Sequence, residues 1–190
     1  KTAIILILII LLSSFFRLYK LEKYLHFYND EADHARIAKE IITEGHFVLI
    51  GPSAISKEGH FGYLGPVYYY IMSAVYFVGS YKPISGAMFT VFLFLISIYF
   101  CYRVGKLYLS ENAGIFSAFI FAFAYLSVYN SRWAWNPHLL PLVVLIILYS
   151  FYYLFRGKTK YFYPLVICAA LAGQLHSTGF LIYPALVFLF

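Results

Sequence analysis

The sequence predicts an all-α membrane protein: a polytopic transmembrane helical bundle with a long first extracytoplasmic loop that carries amphipathic surface helices. Two observations predict this class. Of the 190 residues, 63% are hydrophobic and only 12% are charged, which exceeds the apolar share of soluble domains. Long apolar runs also recur along the chain, as expected for helices that cross a bilayer.

Residues 2–16, TAIILILIILLSSFF, form the first apolar run between Lys1 and Arg17. The run is shorter than the roughly 20 residues that span a bilayer, so we expect it to extend into LYKL (18–21) or to be preceded by further residues. No small-x-small cleavage site follows it, which favours an uncleaved anchor over a signal peptide. Residues 1–190 are expected to form a single domain, the N-terminal part of a longer protein, because the sequence begins without methionine and stops inside an apolar run.

Residues 30–44 predict an amphipathic helix within the polar segment 17–65. Asn29 or Asp30 is a natural N-cap and Gly45 a natural stop, while Arg36 and Glu40 are one turn apart and can pair. One face is apolar at helical spacing and consists of His34, Ile37, Ala38, Ile41 and Ile42.

Residues 65–79 form a short aromatic stretch that could lie flat on the membrane or dip into it as a short span. Longer apolar runs follow at 84–102, 112–130, 137–155 and 161–190. The last run is long enough for a hairpin that is broken near GQLHSTG (173–179).

Basic residues favour the flat position for 65–79. In that case Lys1, the Arg103/Lys106 loop and the loop with Arg156, Lys158 and Lys160 share one side, which the positive-inside rule assigns to the cytoplasm. The prediction is a multi-pass cell-membrane protein with five or six spans, a cytoplasmic N-terminus and residues 17–82 outside.

Negative charge is concentrated in the first loop: seven of the eight acidic residues lie between Glu22 and Glu58. Asp30 and Glu31 could simply cap the helix, because acids in a first turn favour its dipole. Capping explains less well why acids are nearly absent elsewhere, so a functional role for these acids is the competing interpretation. No cofactor is indicated, although hard oxygen and imidazole ligands could hold Mn²⁺ or Zn²⁺, and the candidates are Asp30, Asp33, His34 and His26.

The stretch YNSRWAWNPHLLP (129–141) is predicted to face the same side as the acidic helix. Arg132 could be a cation that reaches the headgroups or a clamp for phosphate oxygens. Asn136 with Pro137 could cap the next span, and His138 could be a residue of its first turn. His60 lies in the same long loop as Asp30, and His176 could satisfy backbone groups at the break in the last run.

Two classes of site are not supported by the sequence. The basic residues flank apolar runs and form no basic-aromatic stripe of the nucleic-acid type. Cys101 and Cys168 lie inside apolar runs and are interpreted as small hydrophobic residues rather than as a disulfide or metal pair.

Four stretches in this order resemble the protein O-mannosyltransferase family and its prokaryotic relatives, which include the lipid A aminoarabinose transferases. They are NDEADHARIAKEI, GHFGYLGPVYYYIM, YLSVYNSRWAWNPHLLP and ALAGQLHSTGFLIYP. The resemblance covers nearly the whole chain. Where the family carries Thr-Lys in the fourth stretch, this chain has Ser177-Thr178.

The resemblance implies an inverting glycosyltransferase that takes a sugar from a polyprenyl-phosphate carrier to a protein, lipid or glycan acceptor. Asp30 matches the family's catalytic acid and Glu31 its neighbour. The candidate substrate-binding residues are Arg132, His60, Asn136 and His138, with Arg132 expected to stabilise the leaving phosphate. Two rival functions remain open: a transporter or flippase of a lipid-linked sugar, and a membrane scaffold in which the acids only cap a helix.

Overall fold

The computed structural model of the protein describes residues 1–56 and 59–187, with side chains described outside 54–61. The helices are α1 (Thr2–Leu18), α2 (Asn29–Thr43), α3 (Val67–Val78), α4 (Ile84–Tyr108), α5 (Glu111–Phe123), α6 (Tyr125–Asn130), α7 (Leu140–Phe155), α8 (Phe162–Leu175) and α9 (Ile182–Val187). Short 3₁₀ turns occupy Asn136–Leu139, Thr159–Tyr161 and Ser177–Leu181.

The long helices confirm the apolar runs that the sequence identifies, and two of them meet the length and composition of a membrane span. These two are Ile84–Tyr108 and Asn136–Phe155, with the 3₁₀ turn included in the second. Shorter apolar helices occur at Thr2–Leu18, Val67–Val78, Glu111–Phe123 and Ser177–Val187. Large apolar side chains on their outer faces are exposed, for example Leu8 and Phe116, as expected for surfaces that contact lipid.

The amphipathic helix forms almost where the sequence places it. Its N-cap is Tyr28 rather than Asn29 or Asp30. The helix ends at Thr43, and Gly45 follows in a left-handed conformation with φ +65°, which glycine adopts without strain. Ala38 and Ile41 are buried against α3 in the largest hydrophobic cluster, while Ile42 remains 37% exposed.

A β-hairpin in the first loop is not predicted by the sequence. Strands β1 (Ser53–Ser56) and β2 (Gly59–Tyr63) pair antiparallel, with a bulge between Ala54 and Ile55. Apolar alternation over four or five residues is too short to distinguish a strand from a loop.

The run 112–130, predicted as one helix, is broken at Ala124 into α5 and α6. The break exposes the carbonyl oxygens of the last turn of α5, which have no intrahelical partner. The buried Arg17 donates to the Ala122 carbonyl at 2.7 Å and to the Ser127 hydroxyl at 2.8 Å. A buried arginine of α1 therefore stabilises the break.

The bundle has two chemically different ends. At one end, Thr2 donates to Glu111 at 2.6 Å and Lys106 pairs with Glu111 at 3.1 Å. At the other end, the Asn136 amide donates to the Leu175 carbonyl. We call the first the basic end, because six basic residues lie there: Lys1, Arg103, Lys106, Arg156, Lys158 and Lys160. The second is the loop end.

Both ends of α3 lie at the loop end. A Cβ on Gly65, just before α3, would touch Gln174 of α8, and one on Gly79, just after α3, would touch Ser85 at the start of α4. The last run is broken at His176 as the sequence predicts, and the chain then turns back so that the Tyr183 hydroxyl donates to the Ala169 carbonyl at 3.2 Å.

Helices α4 and α5 approach each other closely through two glycines. A Cβ on Gly114 would lie 2.5 Å from the Tyr102 carbonyl oxygen, a backbone atom. We expect Gly114→Leu to reduce the free energy of unfolding by about 1–3 kcal/mol, because the helices must separate to admit the side chain. Thermal unfolding in detergent measures this change.

Asn112→Leu is the matched control, because residue 112 is exposed on the same helix and receives the same side chain. It is expected to change the free energy of unfolding by less than about 0.5 kcal/mol. Equal unfolding midpoints for the two variants would contradict the close helix contact.

Candidate functional site

Neighbouring acids at the start of α2 occupy different environments. Asp30 is exposed and lines a cavity, whereas Glu31 is only 3% exposed. The Glu31 carboxylate accepts from the Tyr28 N–H at 3.1 Å and also from the backbone N–H of Ala134. Glu31 therefore ties the first turn of α2 to the segment that follows α6.

Burial raises the pKa of Glu31 from 4.5 to about 7. The two backbone N–H groups act in the opposite direction because they stabilise the carboxylate, and the charge of Asp30 adds to the increase. Asp30 and Glu31 are adjacent in sequence, but only Asp30 can meet a ligand in the cavity.

The cavity at the loop end has a volume of about 820 Å³, within the range of small-molecule sites. Residues from α2, the hairpin segment, α3, the 3₁₀ turn before α7 and the break after α8 form its walls. Its polar and aromatic lining consists of Asp30, Asp33, His34, Arg36, Ser53, Tyr63, Tyr69, Trp135, Asn136, His176, Ser177 and Phe180.

The structure brings Asn136 and Asp30 to this one cavity. Asn136 is buried, and its amide group donates to the Leu175 carbonyl at the end of α8. That bond satisfies a carbonyl with no partner in its own helix. Asn136 therefore links the 3₁₀ turn before α7 to the end of α8, and these two segments form the wall of the cavity opposite α2.

Arg132 does not line the cavity. Its guanidinium donates to the carbonyl oxygens of Phe16 at 2.9 Å, Arg17 at 2.8 Å and Tyr19 at 2.9 Å. These are the last carbonyls of α1, and a cation is favourable at a helix C-terminus. Arg132 therefore caps α1 and does not border the cavity with Asp30, and its predicted contact with phosphate stays a prediction.

His138 also lies away from the cavity, behind the two tryptophans. Its Nδ1 is 3.1 Å from the Trp133 carbonyl oxygen, so Nδ1 carries a proton and donates. Its ring meets Trp133 edge-on at 4.6 Å and Trp135 at 5.6 Å between centroids. His138 therefore supports Trp135, which does line the cavity, and its predicted contact with substrate stays a prediction.

His60 belongs to β2, where its backbone pairs with Ile55. Its side chain lies outside the described part of the chain, so its predicted role in substrate binding stays a prediction.

Sequence reasoning assigned no binding role to His176, which lines the cavity. Its Nδ1 accepts from the Thr178 N–H at 3.3 Å and lies 2.9 Å from the Thr178 hydroxyl. A backbone N–H can only donate, so the proton of the neutral ring is on Nε2. His176 therefore offers an N–H donor whose orientation is fixed by the break after α8. The signal in the sequence was the polar triplet at that break.

His34 is buried on the apolar face of α2 and also borders the cavity. Its ring packs edge-on against Tyr68 at 5.1 Å and against Tyr69 at 5.4 Å. Burial lowers the pKa of His34, while the charges of Asp30 and Asp33 raise it.

A metal site was the other interpretation of Asp30, Asp33, His34 and His26. Among the described residues, no three His, Cys, Asp or Glu side chains are grouped so that they could hold a metal ion. His26 instead contacts the rings of Tyr28, Tyr129 and Trp133.

Comparison with protein families gives a match over most of the chain. Residues 64–190, which are 127 of the 190 residues, match the family model described as dolichyl-phosphate-mannose-protein mannosyltransferase. No curated protein matches the chain, and no solved structure matches it. Helix α2 with Asp30 and Glu31 precedes the matched segment, whereas the residues from Trp135 to His176 lie within it.

The buried carboxyl of Glu31 predicts a pH-dependent stability. Its pKa is higher in the folded protein than in an unfolded chain, so the linked stability is full below about pH 4 and is lost as the pH rises through 7. We expect the unfolding midpoint of the wild type to fall between pH 5 and pH 8, by an amount equivalent to at most about 3 kcal/mol. Glu31→Gln should reduce this fall, because glutamine does not ionise.

Glu40→Gln is the control, because it makes the same change at the exposed ion pair with Arg36 on the same helix. It should keep the pH profile of the wild type. A profile that is identical in the wild type and in Glu31→Gln would contradict the assigned environment of Glu31.

Proposed function

Because the chain belongs to the dolichyl-phosphate-mannose-protein mannosyltransferase family and is thereby a membrane glycosyltransferase, we propose that it transfers a hexose from a polyprenyl-phosphate carrier to an acceptor. The observation that carries the proposal is the cavity at the loop end, where Asp30 and His176 meet aromatic rings in about 820 Å³. The acceptor is a hydroxyl-bearing or amine-bearing protein, lipid or glycan.

Charge supports an extracytoplasmic cavity. The cluster of six basic residues lies at the opposite end of the bundle, and the positive-inside rule assigns that end to the cytoplasm. Residues 17–82, which contain α2, the hairpin and α3, are then extracytoplasmic in a multi-pass protein of the cell membrane. A lipid-borne sugar and a polar acceptor can meet at this boundary.

Asp30 is the proposed general base. As the acceptor oxygen forms its bond to the anomeric carbon, its proton moves to the Asp30 carboxylate. The bond from the anomeric carbon to the phosphate oxygen breaks on the opposite face, and polyprenyl phosphate leaves with the electron pair. A single displacement of this kind inverts the anomeric centre.

We assign to His176 the contact with the leaving phosphate that the sequence suggested for Arg132. The fixed Nε2–H of its neutral ring can donate to a phosphate oxygen as negative charge develops on the leaving group. Trp135 and Tyr69, which line the same cavity, offer aromatic faces for a sugar ring. Glu31 is a positioning residue in this proposal, because its bonds hold the first turn of α2, and with it Asp30, against the 131–135 segment.

Asp30→Asn tests the base. The substitution keeps the size and the hydrogen-bonding shape of the side chain, but it removes the proton acceptor. We expect kcat for sugar transfer to fall at least about 100-fold, with unfolding and donor binding unchanged. The measurement uses the purified full-length protein with defined polyprenyl-phosphate sugars.

Asp33→Asn is the matched control, because Asp33 also lines the cavity and loses the same charge. It is expected to retain most of the activity. An unchanged rate of sugar transfer in Asp30→Asn would contradict the role of Asp30 as general base. Movement of the lipid without sugar transfer in the wild type would favour the flippase, and neither activity would favour the scaffold.

His176→Phe and Arg132→Gln separate the two candidates for the phosphate contact. Phenylalanine keeps the ring near Trp135 but removes the Nε2 donor and the Nδ1 acceptor of the Thr178 N–H, so we expect kcat to fall by about 100-fold and the free energy of unfolding to fall by only about 1 kcal/mol. Arg132→Gln loses the bonds to the end of α1, so its free energy of unfolding should fall by about 1–3 kcal/mol while the folded enzyme keeps its kcat. A large loss of kcat in Arg132→Gln with an unchanged kcat in His176→Phe would instead assign the phosphate contact to Arg132.

A further inference from the structure

The basic end of the bundle carries a large excess of positive charge. Six of the 14 basic residues lie there. Among the described acidic residues, Glu111 alone lies at this end, and it is already bonded to Thr2 at 2.6 Å and to Lys106 at 3.1 Å. The remaining positive charges at this end have no carboxylate partner within residues 1–56 and 59–187.

Tyrosine rings hold these cations in place. Five of the six basic residues lie over a tyrosine ring, at distances from the charged group to the ring centroid of 4.5–5.7 Å: Arg156 over Tyr152, Lys158 over Tyr153, Arg103 over Tyr149, Lys160 over Tyr161 and Lys106 over Tyr102. Three of the rings also pack together, with Tyr153 stacked on Tyr161 at 4.6 Å and Tyr149 edge-on to Tyr153 at 5.0 Å. Such contacts orient a cation without neutralising it.

Arg103 and Lys106 open onto a pocket of about 320 Å³ between α4 and α7, lined also by Tyr99, Tyr102, Leu107 and Tyr153. The Arg103 guanidinium donates to the hydroxyl oxygens of Tyr99 at 2.5 Å and of Tyr149 at 2.7 Å. Both acceptors are phenol hydroxyl groups rather than carboxylates, so these bonds do not pair the guanidinium charge, and further N–H donors remain. A planar guanidinium group can bind phosphate oxygens through such remaining N–H donors.

We propose that this pocket binds the phosphate headgroup of an anionic phospholipid, with Arg103 and Lys106 contacting the phosphate. Exposed apolar side chains near the pocket offer contact to acyl chains, with Leu109 78% and Phe155 80% exposed. Tyrosine and basic residues at helix ends are typical of the headgroup level of a bilayer. The site lies at the end opposite the sugar-transfer cavity and does not depend on the proposed reaction.

Native mass spectrometry of the purified full-length protein in detergent tests the site. Short-chain phosphatidylglycerol is titrated against phosphatidylcholine of the same chain length. We expect the wild type to bind phosphatidylglycerol more tightly than phosphatidylcholine. Arg103→Gln should weaken phosphatidylglycerol binding by about five-fold, and the further Lys106→Gln substitution should add a smaller loss because Lys106 is already paired with Glu111. Arg103→Lys alone, which keeps the charge, should retain most of the binding.

Lys39→Gln is the matched control, because Lys39 also lies over a tyrosine ring, that of Tyr81 at 5.8 Å, but on α2 at the loop end. It should leave phosphatidylglycerol binding unchanged, and an equal loss in this variant would overturn the site. Equal affinity of the wild type for the two lipids would also overturn it. Displacement of phosphatidylglycerol by an equal concentration of inorganic phosphate would overturn the lipid proposal, because the site would then bind a free anion and not a lipid headgroup.

A folding defect is distinguishable from a loss of the site. Misfolding of the double variant would reduce the binding of both lipids and lower the unfolding midpoint, and Arg103→Gln alone, which changes one residue of the pocket, then replaces it. An unchanged preference for phosphatidylglycerol in both variants would overturn the assignment.

Discussion

Broken helices in an apolar bundle leave backbone carbonyls without partners, and the loop end of this protein depends on how they are satisfied. No water competes for such groups in the hydrocarbon region, so each one must find a donor within the protein. Arg17 serves the end of α5, Arg132 the end of α1, and Asn136 the end of α8. These three side chains join the segments that follow α1, α6 and α8. The first turn of α2 contacts this junction.

This constraint explains why polar residues at the loop end divide into two groups. Arg132, Asn136 and His138 are all polar residues of one loop, and from the sequence alone each is a candidate for substrate. Arg132 and His138 donate hydrogen bonds to backbone carbonyls. Asn136 also donates to a backbone carbonyl, but it still borders the cavity. Asp30 on the opposite wall and the Nε2–H of His176, whose ring orientation is fixed by Thr178, are among the polar groups of the cavity that can meet a ligand.

The sequence predicted the helices well because apolar periodicity and length are local properties. It predicted the amphipathic α2 to within a residue, the short aromatic α3 and the break at His176. It did not predict the break at Ala124, since an alanine within an apolar run carries no local signal and the break is stabilised by Arg17, more than 100 residues away. The destination of Arg132 was missed for the same reason: its partners are carbonyls of α1, which no spacing rule connects to residue 132.

The separation of charge between the two ends follows from the same chemistry. Acids are rare outside the first loop because a carboxylate in an apolar bundle needs N–H donors, and Glu31 is buried only where Tyr28 and Ala134 supply them. Asp30, one residue earlier, lines the cavity and receives no such bonds from the described residues. The two adjacent carboxylates therefore lie in different environments: Glu31 is buried and fixes the first turn of the helix, whereas Asp30 is exposed at the cavity. Capping and a catalytic carboxylate, which the sequence presents as alternatives, can therefore occur together in a single turn of helix, because different residues would serve them.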